Sequence, residues 1–297
     1  MTEITIKSYG KVNLSLDVCG TREDGYHVLE SIMHKISLRD DVNVKWTSLD
    51  QEDIEINLTC NKSFLPTDER NLAYKGAKLM AENFGHKVGG GIIDIHIEKH
   101  LPVAAGLAGG SGNGAALLIA LNRLWDLGLD TKKLCEYGAE LGADVPFCLL
   151  IQNTKYGCAL CEGTGTELTP LKSRFKKAVL LVKPSFGVST KEVYKGIDDC
   201  EIKARPNTDQ LVEAMKSHDD AVIYENMINV LEEYTLKKYT EVQKIKEKIA
   251  EQTDAEKVLM TGSGPTVFAL FNKLSDAQKA CKRMRKEGYE AYWATTY

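Results

Sequence analysis

From Ile4 to Val18 polar and apolar residues alternate, which predicts a strand. The Gly-containing stretch "GTREDGYH" then turns the chain, and "VLESIMHKISLRDDVNVKW" and "DIEINLTC" return to strand-like patterns. In "DERNLAYKGAKLMAENFG" the apolar residues fall at helical spacing, with acids at the front and Gly85 at the close, so a helix is expected. "GIIDIHIEKHLP" alternates again. A Gly/Ala-rich run follows, then an apolar helix from about Asn113 to Leu127. "TKKLCEYGAELG" reads as another helix, capped by Thr131 and ended by Gly142.

The texture changes near Leu171. "AVLLVKP" is a short buried strand, "TDQLVEAMKSH" and "YTLKKYTEVQKIKEKIAEQ" are helical, and "EKVLMTGSGPTVFALF" is strand, Gly-rich turn, strand. The last 22 residues, "DAQKACKRMRKEGYEAYWATTY", give a helix and an edge strand. The predicted class is α+β, with both sheets largely antiparallel. A length of 297 residues favours two domains, placed at 1–170 and 171–297.

Composition narrows the function. The net charge of -4 carries no basic footprint for nucleic acid, and the basic run Lys279 to Lys286 has the spacing of a solvated helix face. No apolar run approaches the roughly 20 residues of a membrane span, and the N-terminus lacks a signal-peptide pattern. A cytoplasmic protein without nucleic-acid or membrane partners is expected. Cys158 and Cys161 have metal-like spacing, but no second pair accompanies them. Reduced structural thiols are the expected reading.

The run "LPVAAGLAGGSGNGAALL" follows a strand and opens a helix. Gly106, Gly109, Gly110 and Gly112 leave the backbone uncovered, so N–H groups and the helix N-terminus can hold an anion. Ser111 can offer a hydroxyl to a phosphate or its metal ion. The run matches neither the P-loop nor the dinucleotide fingerprint. By itself it reads equally as a tight, close-packed turn.

Two further stretches bear on that choice. "GKVNLSLDV" puts Lys11 and Asn13 on one face of a strand, and "TGSGPTVF" is a second Gly-rich turn. In this order and spacing the three motifs resemble the signature of the GHMP kinases, over nearly the whole chain. "GTREDGYHVLESIM", "LGADVPFCL" and "KPSFGVSTKEVY" make it similar, within that family, to the kinases that act on 4-diphosphocytidyl-2-C-methyl-D-erythritol. Gly10 and the "SGNGAA" run depart from the usual pattern, and neither removes a reacting side chain.

The resemblance implies a two-domain fold. An N-terminal ATP-binding domain precedes a C-terminal ferredoxin-like α/β sandwich. It also implies ATP and Mg²⁺ as cofactors, and phosphoryl transfer to the 2-hydroxyl of a cytidine-diphosphate-linked methylerythritol. Asp144 is then the base and Lys11 its cationic partner, although Asp-x-Pro also begins many helices and Lys11 also suits an exposed strand. Pro102, Ala104, Ala105, Gly106, Leu107, Ala108, Gly109, Gly110, Ser111, Gly112 and Asn113 would surround the ATP phosphates, with Ser111 also the candidate metal contact. Lys99 and Asn71 would flank the adenine. Asn13, Tyr26, His27 and Tyr194 would meet the substrate, with Thr261, Gly262, Ser263 and Gly264 closing over it. The expected assembly is a monomer or a weak homodimer.

Overall fold

A computed structural model describes residues 2–297. The chain opens with β1 (Thr2–Asn13), β2 (Asp17–Thr21), the long β3 (His27–Ser48) and β4 (Ile54–Cys60). Helix α1 (Leu72–Val88) and β5 (Gly91–Glu98) lead to α2 (Gly109–Leu124), α3 (Thr131–Leu141) and α4 (Val145–Asn153). Next come β6 (Cys158–Gly163), β7 (Glu167–Leu171) and β8 (Ala178–Lys183). Five helices follow: α5 (Thr190–Ile197), α6 (Thr208–Ser217), α7 (Asp220–Asn226), α8 (Glu232–Lys238) and α9 (Thr240–Gln252). The chain closes with β9 (Lys257–Met260), β10 (Val267–Phe271), α10 (Leu274–Lys286) and β11 (Glu290–Thr295).

These elements form two compact units that interleave along the sequence. Of the described residues, the first holds 2–10, 39–102 and 108–155; the second holds 11–38, 103–107 and 156–297. Both β1 and β3 run from one unit into the other, and so does the Gly/Ala-rich run.

In the first unit, residues 41–48 of β3 pair antiparallel with β5, and β4 joins β5 in parallel. That parallel pair lies in a sheet whose β2–β3, β3–β5, β3–β6 and β6–β7 pairs are antiparallel. The intervening α1 supplies the crossover that a parallel pair needs. The core combines Val42, Val44 and Trp46 of β3 with Ile93, Ile95 and Ile97 of β5 and the apolar faces of α1 and α2. Helix α2 is buried from Gly112 to Leu121, so its all-round apolar sequence has no wet face to serve.

Helix α2 begins at Gly109, four residues before the expected start. Glycine is a poor helix former, but packing requires small residues here. A Cβ on Gly112 would stand 2.6 Å from Ser8 Oγ. The "SGNG" departure thus fits the hydroxyl that lies against it. Helix α1 also runs past Gly85 to Val88, with its C-cap at Gly89, and α3 is capped by Asp130 rather than Thr131.

In the second unit, residues 29–34 of β3 pair with β6, which pairs with β7. A separate antiparallel sheet has the order β11-β8-β10-β9. Numbered within the sheet this is 4-1-3-2, with helices between the first and second and between the third and fourth strands: the ferredoxin-like arrangement. Its core joins Leu180 and Val182 to Val242, Ile245 and Ile249 of α9 and Ala277, Cys281 and Met284 of α10. Cys158 and Cys161 are buried on β6 and are not joined in a disulfide. Burial pushes the Cys158 thiol well above its ordinary range, as an inert structural thiol requires. Among the described residues, no helix is long and apolar enough to cross a membrane.

Candidate active site

In the first unit, the exit of β5 and the second turn of α2 meet on one buried carboxylate. Asp40 is fully buried on β3. Its Oδ1 accepts the backbone N–H groups of His100 and Leu101, each at 2.8 Å. Its Oδ2 accepts Asn113 Nδ2 at 3.0 Å and pairs with the Lys99 ammonium. Lys99 Nζ also donates to Asn113 Oδ1 at 3.1 Å, and Asn113 Nδ2 reaches Ser8 Oγ at 3.1 Å. A Cβ on Gly109 would stand 2.9 Å from Lys99 Nζ, so the ammonium lies directly against the start of α2.

The first-turn amides of a helix lack intrahelical partners. Gly109, Gly110 and Ser111 present such amides, and Gly110 is exposed. Unpartnered amides at the positive end of a helix dipole are the features that an anion site requires. Ala108, the N-cap residue, has φ 56° and adds no side-chain cap. Lys99 and Asn71 are both committed locally: Lys99 to Asp40 and Asn113, and Asn71 as the N-cap of α1. Asn71 accepts Ala73 N–H at 3.0 Å and donates to the Pro66 carbonyl at 2.9 Å.

Asp144 precedes α4, with Pro146 in its first turn, and its side chain makes no capping bond to that helix. The carboxylate therefore does not serve as the ordinary cap that its place before Val-Pro suggests.

The second unit assembles Lys11, Asn13 and the "TGSG" turn. Lys11 is only 4% exposed, and its Nζ donates to Asn13 Oδ1 at 2.7 Å. Asn13 N–H donates to Thr261 Oγ1 at 3.0 Å, Thr261 Oγ1 donates back to Asn13 Oδ1 at 3.2 Å, and Asn13 Nδ2 donates to Ser31 Oγ at 2.8 Å. Gly106 has φ +69°, and a Cβ there would meet the Thr261 and Gly264 carbonyl oxygens at 2.9 and 3.0 Å. Only glycine suits both the backbone angle and that approach. Asn229 donates to the Met260 and Gly262 carbonyls, each at 2.8 Å, and so ties down the turn. Ser263 Oγ lies 3.0 Å from Thr190 Oγ1 at the head of α5.

Helix α5 carries Tyr194. Its ring lies 5.3 Å from that of His27, tilted by 36°. His27 Nε2 is 2.8 Å from Asp198 Oδ1 at the end of the same helix. Tyr26, beside His27, is 66% exposed, which leaves its ring face open for stacking. Two aromatics, an imidazole and a carboxylate thus share one corner.

Residues 71–151 match the family described as GHMP kinases N terminal domain, and residues 211–290 match GHMP kinases C terminal. The 4-diphosphocytidyl-2-C-methyl-D-erythritol kinase of Clostridium novyi is 44% identical over 98% of this chain and 99% of its own. That of Clostridium botulinum strain Eklund 17B is 44% identical over 99% of this chain and 100% of its own. The chain belongs to the 4-diphosphocytidyl-2-C-methyl-D-erythritol kinase family of the GHMP kinases.

A crystal structure of a 4-(cytidine 5'-diphospho)-2C-methyl-D-erythritol kinase superimposes with a TM-score of 0.79, at 29% identity, covering 99% of each chain. The homoserine kinase of Cytophaga hutchinsonii has the same fold, with a TM-score of 0.75 at 18% identity over 100% of this chain and 95% of its own.

Within this phosphotransferase framework, motif reading missed Ser8, Asp40, Asn229 and Asp198. For Asp40 a signal exists: it shares strand parity with Val42, Val44 and Trp46, all buried. A charged residue on the apolar face of a strand needs partners. Asn229 and Asp198 carry no comparable mark.

Among the described residues, no three His, Cys, Asp or Glu side chains are arranged to hold a metal. Mg²⁺ commonly relies on substrate phosphates and few protein groups. A half-buried Ser111 hydroxyl in the first turn of α2 is compatible with that use.

Proposed function

We propose that this enzyme transfers the γ-phosphoryl group of ATP to the 2-hydroxyl of 4-diphosphocytidyl-2-C-methyl-D-erythritol. The observation that carries the reading is the near-full-length identity with the Clostridium enzymes of that name. The first turn of α2 binds the ATP phosphates through backbone amides, and Ser111 is the protein contact for the accompanying Mg²⁺, whose charge offsets that of the phosphates. Tyr26, His27 and Tyr194 take the cytosine: stacking on the aromatics and hydrogen bonds at the base edge suit a flat, polar ring. Asn13 and the turn from Thr261 to Gly264 hold the acceptor end.

In the transfer, the bond from γ-phosphorus to the β,γ-bridging oxygen breaks and a bond to the acceptor oxygen forms. Asp144 takes the hydroxyl proton, and Lys11 stabilises the negative charge that develops on the oxygen. Such transfer depends chiefly on positioning and charge.

Mass spectrometry of the products from protein, MgATP and the cytidyl substrate tests the activity. One added phosphoryl group is expected. No product from folded protein, or a preference for homoserine or mevalonate, overturns the reading. The role of Asp144 has its own test: Asp144→Asn is expected to lose turnover while retaining ATP binding. Turnover like that of the unmodified enzyme removes Asp144 as the base.

A further inference from the structure

The cluster beneath α2 is sealed from solvent. Asp40 is 0% exposed, Asn113 3% and Lys99 6%. A buried ion pair is not the simplest way to stabilise a core, since apolar residues of similar size often do as well or better. This pair is also joined to specific backbone atoms, and that pattern carries the inference.

The bonds of Asp40 fall at the two ends of one loop. On one side they hold the amides of His100 and Leu101, where the chain leaves β5. On the other they hold Asn113, in the second turn of α2. Asn61 completes the first side: its Oδ1 accepts the Lys99 N–H at 2.9 Å, and its Nδ2 donates to the Lys99 carbonyl at 3.3 Å. The carboxylate thus fixes where the Gly-rich run begins and where its helix starts. Glycine-rich backbone has little intrinsic preference for one conformation, so an amide cradle built from it needs external restraint.

We propose that Asp40 is a positioning residue for the nucleotide. Acting through Lys99 and Asn113, it holds the first turn of α2 in the register that presents its amides to the ATP phosphates. Ser8 supports the same register by accepting from Asn113 and filling the space beside Gly112. The proposal rests on the reading of this run as the ATP-phosphate loop. It assigns Lys99 to the support of the loop, through an ammonium lying against Gly109.

The double variant Asp40→Asn, Lys99→Gln removes both charges while keeping side-chain size and much of the hydrogen bonding. The expected result is a rise of roughly tenfold in KM for ATP, with KM for the cytidyl substrate unchanged within about twofold. Calorimetry with a non-hydrolysable ATP analogue should show the same weakening without turnover. Equal shifts in both KM values, or no shift in either, overturn the proposal. Should the double variant fail to fold, Asn113→Ala decides. It cuts the tie to α2 and leaves the Asp40–Lys99 pair and both backbone bonds in place. The same selective loss of ATP affinity is expected, and unchanged affinity overturns the proposal. Unmodified protein that binds no ATP analogue would instead overturn the phosphate-loop reading itself.

Discussion

One strand, β3, carries two fully buried polar side chains in two different settings. Asp40, in the first unit, replaces lost water with four donors: two backbone amides, an ammonium and a side-chain amide. His34, in the second unit, has one such bond, Nδ1 at 2.9 Å from the Lys35 carbonyl, and its buried Nε2 has no partner. Its ring packs beside Phe175, with centroids 6.2 Å apart. The contrast teaches what burial does to a titratable group. Where donors converge, a charge can be retained and used to fix geometry. Where they do not, the neutral form is favoured.

The sharpest break of that contrast is Asp40→Ala. It leaves the buried Lys99 ammonium without its carboxylate and two amides without an acceptor. A loss of about 3–5 kcal/mol is expected, read by urea denaturation. A loss below about 1 kcal/mol would mean that Lys99 reaches water in the variant.

His34 supplies the next effect, through pH. Burial holds its imidazole at about 4, below the ordinary 6.5. Above pH 6.5 neither the native nor the unfolded state gains a proton there. As pH falls from 6.5 towards 4 the unfolded chain takes up the proton and the native state does not, so stability falls. The expected loss from this residue is about 3 kcal/mol by pH 4. His34→Gln should flatten this part of the stability-against-pH curve, and an unchanged slope would count against it.

A smaller effect comes from backbone strain at the start of α2. Ala108 is in the left-handed region at the N-cap of α2, where glycine is tolerated better. Ala108→Gly is expected to raise stability by about 1 kcal/mol, measured by thermal unfolding. A decrease would show that its methyl group has a packing role.

The least costly change is in the half-exposed pair of the second unit. Asp198 is 49% exposed beside His27, so solvent screens the interaction. Asp198→Asn should change global stability by less than about 0.5 kcal/mol. Steady-state kinetics should show a higher KM for the cytidyl substrate and an unchanged KM for ATP. The reverse pattern would separate His27 from base recognition.

These cases also divide what could be read from sequence. Alternation in β3 marks Val42, Val44 and Trp46 as inward, and by the same parity marks Asp40 as a charge that needs partners. It cannot name those partners, because Lys99 and Asn113 lie 59 and 73 residues away. The glycines of the loop were visible as an uncovered backbone. Their entry into α2 was not, because local propensity opposes a helix at Gly109 and the small residues become an advantage only through tertiary fit, Gly109 against Lys99 and Gly112 against Ser8.

The sequence alone determined the alternation of strands and helices, the uncovered backbone of "AGGSGNG" and the family to which Lys11, Asp144 and the "TGSGP" turn point. Those properties are local, or reside in ordered motifs. Tertiary structure decided that the two units interleave, that Lys99 turns inward to Asp40, and that Asn229 and Asp198 support the "TGSG" turn and His27. The physical reason is range. Backbone preference and periodicity act over a few residues, whereas the cost of a buried charge is met by whichever distant groups the fold brings within hydrogen-bond reach.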